Sequence, residues 1–466
     1  MFLFFLLLVM SVADECQFID QQQEIVEEFK WSWNAYRDYA WGKDELLPVS
    51  QTSNRWFGIG LTLLDNLDTL WLMNLHEEFD EATEWVRHSL DMDIDVDVNV
   101  FECTIRALGG LLSAHALSNR TIFLDKAYEL GSRLLPAFET KTGIPYSDVN
   151  LKTGAVRGPH WTSASSTSEV STVQLEFIRL TQVTGDVRFR AAVTRVADKM
   201  AVLAATSRPH PYLLPIFIQV ESGHLSGPIS LGARGDSYYE YLLKQWIQSG
   251  GTILGDRYFN AAEAIRQHLV VKVNNKTFIA EMNIAGELVY KMDHLVCFLP
   301  GVYALGTTLV NTSHHLRLAQ DLMETCYAMY QYSPIGLAPE IIMFDCTNCT
   351  YNSFYIKRND EHNLLRPETV ESLFVLWRVT RDPKYRQWGW EIFKSFQQHC
   401  KVSSGGYSSI RSVVKKPIIL EDKMESFWMA ETLKYLYLLF AEEDVLPLDK
   451  WVFNTEAHPF PVVSKT

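Results

Sequence analysis

Four separated segments of the sequence place acidic residues beside arginines or aromatic rings. Carboxyl groups can act as acid and base in the cleavage of a glycosidic bond, and aromatic rings can stack on a sugar. These residue types therefore predict a sugar-cleaving site, provided that the fold brings the segments together. The segments carry Glu102 with Arg106, Arg234 with Asp236 and Glu240, Arg366 with Glu368 and Glu371, and Phe427 with Glu425, Glu431, Thr455 and Glu456.

Ordinary structural roles can explain most of these residues as well. Glu102 and Arg106 stand one helical turn apart, which suits an i,i+4 ion pair. Asp236 suits the N-cap of the helix that follows it. Glu368 and Glu371 suit a first helical turn, where the helix dipole favours acidic residues. Both interpretations stay open for these segments.

The pair Thr455-Glu456 has no such structural explanation. It follows the last predicted helix, in an extended polar tail. A functional role is therefore easier to assign to this pair than a structural one.

The segment DMDIDVDVNVFE, from Asp91 to Glu102, superficially matches a calcium-binding EF-hand loop. The match fails because Val96 replaces the glycine that the sharp turn requires. The alternation of polar and apolar residues instead predicts an extended stretch that leads into a helix.

Helical periodicity dominates from Gln21 to about Ala441, with about thirteen helical segments and few stretches that alternate like strands. Helical hairpins that bury their faces against their neighbours form a solenoid or a ring. Because the hairpins are few and irregular, and no polar capping repeat stands out, we predict a closed all-α ring. Such a ring can turn the same end of each helix toward one central cavity, where the four segments would meet.

The segment LLRPETVESLF illustrates how one helix can serve both the core and a site. Pro367 suits the first helical position. The stripe of apolar residues at i, i+3, i+4 and i+7 is predicted to be buried, and the two glutamates share a different face. The stripe consists of Val370, Leu373, Phe374 and Trp377.

The composition excludes some classes of protein. The 466 residues are 47% hydrophobic, so a large core can form, and the formal net charge is −14. With 42 lysines and arginines and no basic cluster, nucleic acid is not expected as a partner.

The first residues, MFLFFLLLVMSVADEC, form an apolar run that ends in a small-x-small pattern. This run predicts a signal peptide over residues 1–13, with a short signal anchor as the alternative. Residues 14–466 are then predicted to form a single domain, without stable membrane insertion if the signal is cleaved. Entry into the secretory pathway makes four sequons candidate glycosylation sites. They are Asn119, Asn275, Asn311 and Asn348.

The sequence resembles the class I α-1,2-mannosidases of glycoside hydrolase family 47, and among them the endoplasmic reticulum type. The resemblance runs from about Trp33 to the end of the chain. It rests on AWGKDELLPVS, FGIGLTLLDNLDTLW, FECTIRALGGLLSA, IPYSDVN, GARGDSYYEYLLKQWI, KMDHLVCFLPG, LLRPETVESLF, SGGYSSI, DKMESF, ETLKYLYLLF and VFNTEAHP.

The family resemblance implies an (α/α)7 barrel plugged at one end by a C-terminal β-hairpin. It also implies inverting, Ca²⁺-dependent removal of terminal α-1,2-linked mannose from high-mannose N-glycans. The residues carried over are the catalytic carboxylates Glu102, Asp236 and Glu368; the calcium ligand Thr455, with Glu368, Glu371, Glu431 and Glu456 acting through water; the pocket residues Arg106, Arg234, His294, Arg366 and Phe427; and the disulfide Cys297–Cys326.

The roles within the catalytic trio are less sharply implied than the trio itself. We expect Glu102 to be the acid, directly or through a water, and Glu368 to be the base. Asp236 is the alternative partner for either proton. An inverting enzyme needs its two carboxyl groups about 6.5–9.5 Å apart, so that a water molecule fits between base and sugar.

The resemblance also predicts the biological setting. An arginine at position 234 goes with the endoplasmic reticulum enzymes, which chiefly convert the nine-mannose glycan to eight mannoses on the middle branch. Golgi-type trimming to five mannoses and a weakly catalytic mannose-binding escort are the alternatives. We expect a monomer in the lumen of the endoplasmic reticulum or early Golgi that acts in N-glycan processing and glycoprotein quality control.

Overall fold

The computed structural model describes residues 2–159, 162, 164–310, 312–344 and 353–462, with side chains from residue 18 onward. Within these ranges the α-helices are α1 (Phe2–Ala40), α2 (Leu61–Asp65), α3 (Leu67–Leu72), α4 (His76–His88), α5 (Val100–Glu102), α6 (Gly109–Ser118), α7 (Thr121–Leu134), α8 (Thr167–Ser171), α9 (Gln174–Thr184), α10 (Val187–Thr206), α11 (Asp236–Ser249), α12 (Thr252–His268), α13 (Leu299–Gly306), α14 (Ser313–Tyr332), α15 (Glu368–Thr380), α16 (Lys384–His399) and α17 (Lys434–Phe440). Two π-helical segments, Cys103–Leu108 and Trp428–Leu433, precede α6 and α17, and short 3₁₀ turns span Leu135–Phe138, His294–Phe298 and Arg358–Asp360.

The inner ring of the molecule consists of helices that contact one another in sequence order. Contacts run from α3 to α6, then through α9, α11, α13 and α15 to α17. The π-helical segment that precedes α17 contacts α3, so the ring is closed. The closed ring predicted from the helical hairpins is therefore confirmed.

An outer ring surrounds the inner one, and each outer helix packs on one inner helix. The pairs are α1 with α17, α4 with α3, α7 with α6, α10 with α9, α12 with α11, α14 with α13, and α16 with α15. The described residues thus form seven inner and outer pairs, which is the (α/α)7 barrel.

The two rings differ in how their helices are buried. In the outer helix α12 the buried residues recur at helical spacing, as in Tyr258, Ala262 and Ile265, and the opposite face meets solvent. In the inner helix α15 nearly every residue from Glu368 to Leu376 is buried. The reason is that α15 packs on the inner helices α13 and α17 and on the outer helix α16. The glutamates of an inner helix therefore face the interior rather than water.

Short strands occupy the connections between helices. They are β1 (Glu45–Leu47), β2 (Thr52–Asn54), β3 (Asp97–Asn99), β4 (Asp148–Asn150), β5 (Val156–Arg157), β6 (Ser165–Ser166), β7 (Pro215–Ile218), β8 (Leu225–Ile229), β9 (Val270–Val273), β10 (Lys276–Ile279), β11 (Glu281–Met282), β12 (Leu288–Val289), β13 (Lys291–Asp293), β14 (Ile341–Met343), β15 (Trp451–Phe453) and β16 (Pro459–Pro461). With two to five residues each, they are too short to show the alternation that predicts strands.

The last two strands form an antiparallel hairpin that enters the barrel. β15 contacts the inner helix α11 and β16 contacts the inner helix α6. The tip of the hairpin is fixed by Lys434, whose Nζ donates to the Ala457 carbonyl at 2.9 Å, and by Asn454, whose Nδ2 donates to the Ile105 carbonyl at 2.9 Å. The predicted plug is confirmed, and its tip lies among the inner helices.

The predicted disulfide Cys297–Cys326 is present. It joins the 3₁₀ turn before the inner helix α13 to the outer helix α14.

Two of the four candidate glycosylation sites, Asn119 and Asn275, are exposed. Asn311 and Asn348 lie outside the described residues. The side chains of residues 1–13 also lie outside them, so the signal peptide and the domain boundary at residue 14 stay predictions. Among the helices that the structure describes, none has both the length and the apolar character needed to span a membrane.

Candidate active site

Two of the inner helices that carry site residues contain π-helical turns. Cys103–Leu108 carries Arg106, and Trp428–Leu433 carries Glu431. A π-turn adds one residue to a helical turn, and such turns occur frequently at functional sites. The residues directly before the two π-helical segments, Glu102 and Phe427, are also predicted to belong to the site.

Arg106 joins three segments of the chain. Its Nε donates to Glu102 Oε2 at 2.8 Å, and its Nη1 donates to Ser426 Oγ at 3.0 Å and to Glu456. Its guanidinium carbon lies 5.7 Å from the centre of the Phe427 ring. The i,i+4 ion pair expected from spacing is present, and the same arginine also brings the C-terminal hairpin to Phe427.

Glu368 lies between a histidine and an arginine. His294 Nδ1 is 2.8 Å from Glu368 Oε2, and Arg366 Nη1 is 3.7 Å from Glu368 Oε1. Because a carboxylate only accepts, Nδ1 of His294 is the donor, and its Nε2 lies 2.9 Å from the Tyr330 hydroxyl and 3.0 Å from the Thr369 hydroxyl. Burial raises the pKa of Glu368, but the His294 hydrogen bond and the Arg366 charge outweigh it and lower this pKa. Glu368 is therefore a carboxylate at neutral pH.

Asp236 lies under opposite electrostatic conditions. Burial raises its pKa to about 7, although Ser237 N–H donates to its Oδ1 at 2.8 Å, and the charges of Glu240 and Glu368 add to the rise. Its helix begins at Asp236 itself, with Gly235 at the N-cap position. The N-cap interpretation of Asp236 is therefore wrong by one residue, because its carboxyl group accepts within its own first turn.

Thr455 lies at the tip of the plug beside buried charged residues of the barrel. Its Oγ1 donates to Glu240 Oε2 at 2.7 Å. Lys244, one helical turn after Glu240, donates to Glu240 and to the Asn454 carbonyl at 3.2 Å, and its Nζ is 3.4 Å from Glu371 Oε1. The plug thus brings a hydroxyl into a cluster of carboxylates.

The carboxyl groups around Thr455 disfavour one another's ionisation. Burial raises the pKa of Glu371 to about 8, with Lys244 opposing and the charge of Glu240 adding to the rise. Burial also raises the pKa of Glu431 well above its ordinary range, and Glu456 and Glu368 raise it further.

A hard divalent cation fits this donor set. Oxygen ligands and clustered negative charge are what Ca²⁺ prefers, and the cluster offers only carboxylate, hydroxyl and carbonyl oxygens. The pKa of Glu456 is also raised well above the ordinary range. Burial is the main cause, and the charges of Asp65 and Glu102 add to the rise, while the charge of Arg106 opposes it. The residues present are therefore those that could hold calcium.

Arg234 lies at the edge of this region. It is exposed, its φ of 74° places it in the left-handed region, and its guanidinium lies 5.8 Å from the Phe217 ring centre. Burial raises the pKa of Glu169; the Asn99 hydrogen bond and the charge of Arg234 oppose this rise, and the charge of Glu102 adds to it. Arg234 and Glu102 thus both face Glu169.

Arg366 is held by a residue that sequence reasoning did not single out. Its Nε donates to both carboxylate oxygens of Glu340, at 2.9 and 2.7 Å, and its Nη2 donates to the same group. The bidentate pair fixes the guanidinium plane, so that Nη1 stays directed at Glu368.

The EF-hand match does not form a calcium loop. Asn150 Nδ2 donates at 2.9 Å to both Asp95 Oδ1 and Asp97 Oδ1, and β3 begins at Asp97. Glu102 N–H donates to Asn99 Oδ1 at 2.9 Å, which caps the helix that follows. The interpretation as an extended stretch that leads into a helix is confirmed from Asp97 onward.

Several charged residues around the site were missed, and most of them lie inside helical segments. A charged residue within an apolar segment is itself a signal, since burial demands a partner. Asp68 and Asp65, for example, lie 2.8 and 3.1 Å from His458, which is in the C-terminal hairpin. The missed residues are Asp65, Asp68, Glu169, Glu176, Lys244, Glu340, Lys434 and His458.

Comparison with known proteins places the chain in a family. The model of glycosyl hydrolase family 47 matches residues 28–462. The chain belongs to this family, and the family resemblance of the sequence is confirmed. The barrel is the fold that the family resemblance implies.

Three known proteins illustrate how similar the chain is to its relatives. The human endoplasmic reticulum mannosyl-oligosaccharide 1,2-alpha-mannosidase is 51% identical over 95% of this chain and 64% of its own length, so the chain spans less than two thirds of that relative. The pig mannosyl-oligosaccharide 1,2-alpha-mannosidase IA is 42% identical over 96% of this chain and 68% of its own length. The solved alpha-1,2-mannosidase from Trichoderma reesei is 28% identical, with a TM-score of 0.87 over 95% of this chain and 99% of that one.

Proposed function

We propose that this protein is a Ca²⁺-dependent exo-α-1,2-mannosidase that removes terminal mannose from high-mannose N-glycans with inversion. The observation that carries the proposal is the buried carboxylate cluster around Thr455, linked through Arg106 to Phe427. The names of the relatives supply the substrate class, since each is a 1,2-alpha-mannosidase.

Glu368 is the base in this proposal. Its lowered pKa keeps it ionised, so it can take a proton from an attacking water. His294 acts as a positioning residue, because its hydrogen bond fixes one oxygen of Glu368 and leaves Oε1 toward Arg366.

The proton donor is Glu102 or Asp236. A general acid must hold a proton near the working pH, and the pKa of about 7 favours Asp236. Glu102 already accepts an N–H from Arg106, so a role as acid requires that it act beside this ion pair or through a water.

Phe427 provides the apolar surface of the proposed sugar pocket. Phe427 is buried, and the guanidinium of Arg106 lies over its ring. Aromatic rings commonly stack on the apolar face of a sugar, and arginine supplies hydrogen bonds to hydroxyls. Together they would fix the ring of a terminal mannose.

Thr455 would hold calcium through its hydroxyl and carbonyl oxygens, with Glu368, Glu371, Glu431 and Glu456 holding waters around the ion. When bound, calcium supplies positive charge that neutralises the cluster and binds sugar hydroxyls. Lys244 balances part of the same charge, which suits a cluster that must persist before substrate enters.

We further propose the endoplasmic reticulum as the site of action and a single cut on the middle branch of the nine-mannose glycan. The identity is higher to the endoplasmic reticulum relative than to the mannosidase IA relative, 51% against 42%. An exposed Arg234 at the edge of the pocket suits a role in selecting the branch. Golgi-type trimming to five mannoses and an escort role with little catalysis are the competing functions.

Digestion of the nine-mannose glycan at limiting enzyme tests the proposal. With Ca²⁺ we expect one eight-mannose isomer to accumulate, and after removal of Ca²⁺ with a chelator we expect no release of mannose. A mixture of seven-, six- and five-mannose products would favour the Golgi-type function. Binding of the glycan without any release in Ca²⁺ would favour the escort.

A further inference from the structure

A second cluster of metal-ligating side chains lies on the outside of the barrel, away from the active site. Glu263 on α12 faces His314 and His315 at the start of α14. Their ligand atoms lie within 4.8 Å of one another. The cluster lies in a surface cavity of about 460 Å³, which is also lined by Phe259, Arg266 and Thr312.

The three side chains converge on a single point. His314 Nε2 is 3.0 Å from Glu263 Oε1, and His315 Nε2 is 2.8 Å from the same oxygen. In a tetrahedral zinc site with bonds of about 2.0–2.2 Å, two ligand atoms lie about 3.3 Å apart. Each histidine nitrogen therefore needs to move only a few tenths of an ångström away from Glu263 Oε1 to reach this spacing.

Neighbouring groups fix the ligands in place. Arg266 holds the other oxygen of Glu263, since its Nε and Nη2 lie 2.9 and 2.8 Å from Oε2. His315 is 1% exposed, and its ring packs edge-on against Tyr303, with the ring centres 5.1 Å apart. A preformed arrangement of this kind lowers the entropic cost of binding.

The tautomer of His315 is free to change. In the metal-free state its Nε2 donates to Glu263, and its buried Nδ1 has no hydrogen-bond partner among the described residues. No donor therefore prevents the proton from moving to Nδ1, which would expose the Nε2 lone pair to a metal. A coordinating imidazole must be neutral at the bound nitrogen.

We propose that Glu263, His314 and His315 form a second metal site that binds Zn²⁺ and joins the outer helices α12 and α14. Two nitrogens and one oxygen suit a borderline ion rather than Ca²⁺, which prefers oxygen ligands. His314 is 56% exposed, so the ion enters from solvent and keeps water at its remaining position. The site is independent of the proposed mannosidase function, and its role is to stabilise the barrel wall.

Calorimetric titration of the full chain with Zn²⁺, in excess Ca²⁺ so that the acidic pocket is saturated, tests this site. We expect one zinc per chain and a higher temperature of thermal unfolding with zinc. H314A should weaken zinc binding by at least about tenfold, because loss of a residue that only orients a ligand already costs about 10–100-fold in metal affinity. It should keep the release of mannose, since His314 lies outside the active site. Because the His314 side chain is exposed, we expect this variant to fold as the parent does.

The matched control is H88A, which removes an exposed histidine that also faces a glutamate, with Nε2 3.2 Å from Glu84. This variant should bind zinc as the parent does. Failure of the parent to bind zinc, or equal zinc affinity and equal stabilisation in H314A and the parent, would overturn the proposal.

Discussion

Glu368 and Asp236 share one pocket, yet their neighbours push the two pKa values in opposite directions. His294 and Arg366 keep Glu368 ionised, while burial among other acids raises the pKa of Asp236 to about 7. A pair of carboxyl groups with separated pKa values is what acid and base catalysis requires. Two predictions follow at the level of single residues.

Replacement of Glu368 by glutamine should reduce kcat by about 10²–10⁴, since general base catalysis contributes that much. Glutamine keeps the shape of the side chain, so we expect the folded structure to persist. Steady-state release of mannose measures the effect, and E77Q, on the exposed face of the outer helix α4, is the matched control. A variant as active as the parent would refute the assignment of the base.

The pH profile of kcat/KM should distinguish Asp236 from Glu102 as the proton donor. The folded pKa of Asp236 is raised, so its acid form is present at low pH and is lost as the pH rises through about 7. Activity should fall over that range, and D236N should lose both most of its activity and this alkaline limb. If D236N keeps the limb and E102Q loses it, Glu102 is the donor.

At the level of elements, the sequence predicts the inner helices well and their buried charges poorly. Val370, Leu373 and Phe374 are buried as their spacing predicts, and Trp377 is half-buried. Helix α15 begins at Glu368, one residue after the predicted start, with Pro367 at its N-cap.

Partners distant in the sequence are the reason that other site residues could not be predicted. Lys244 reaches the carbonyl of Asn454, which is 210 positions away. Spacing within one helix reveals neighbours at i+3 and i+4 but not such contacts. The pairing of Thr455 with Glu240 likewise depends on where the plug enters the ring.

Close packing of the inner helices predicts a sensitive glycine on α6. A Cβ atom at Gly110 would lie 2.2 Å from the carbonyl oxygen of Leu64, which is backbone and cannot move aside. G110A should therefore lower the free energy of unfolding by about 1–3 kcal/mol or more. Urea denaturation measures this change.

G158A is the control for this prediction, because a Cβ atom at Gly158 meets no atom of the described residues within 4 Å. It should leave the urea midpoint nearly unchanged. Equal midpoints for G110A and the parent would show that α2 and α6 do not approach as closely as described.

For the whole molecule, the plug makes the proposed calcium site depend on several segments of the inner ring. Arg106, Lys244 and Lys434 lie on different inner segments, and each contacts the tip of the hairpin. A ligand that binds only the folded state stabilises it, by about 2.7 kcal/mol at 100 times its Kd. Calcium should therefore raise the temperature of unfolding of the whole barrel in one transition.

The variant T455V should lose much of this stabilisation, because it removes the hydroxyl and keeps the volume of the side chain. Scanning calorimetry with Ca²⁺ and with chelator measures the difference. T206V, at the exposed end of the outer helix α10, should respond to calcium as the parent does. An unfolding temperature of the parent that does not depend on calcium would contradict the proposed metal site.

The most direct test of the central claim is proton NMR of the first mannose released from the nine-mannose glycan in the presence of Ca²⁺. Inversion at an α-linkage forms the β-anomer before mutarotation mixes the two forms. The account predicts early signals of β-mannose alone. Release of α-mannose first, or no release at all, would contradict it.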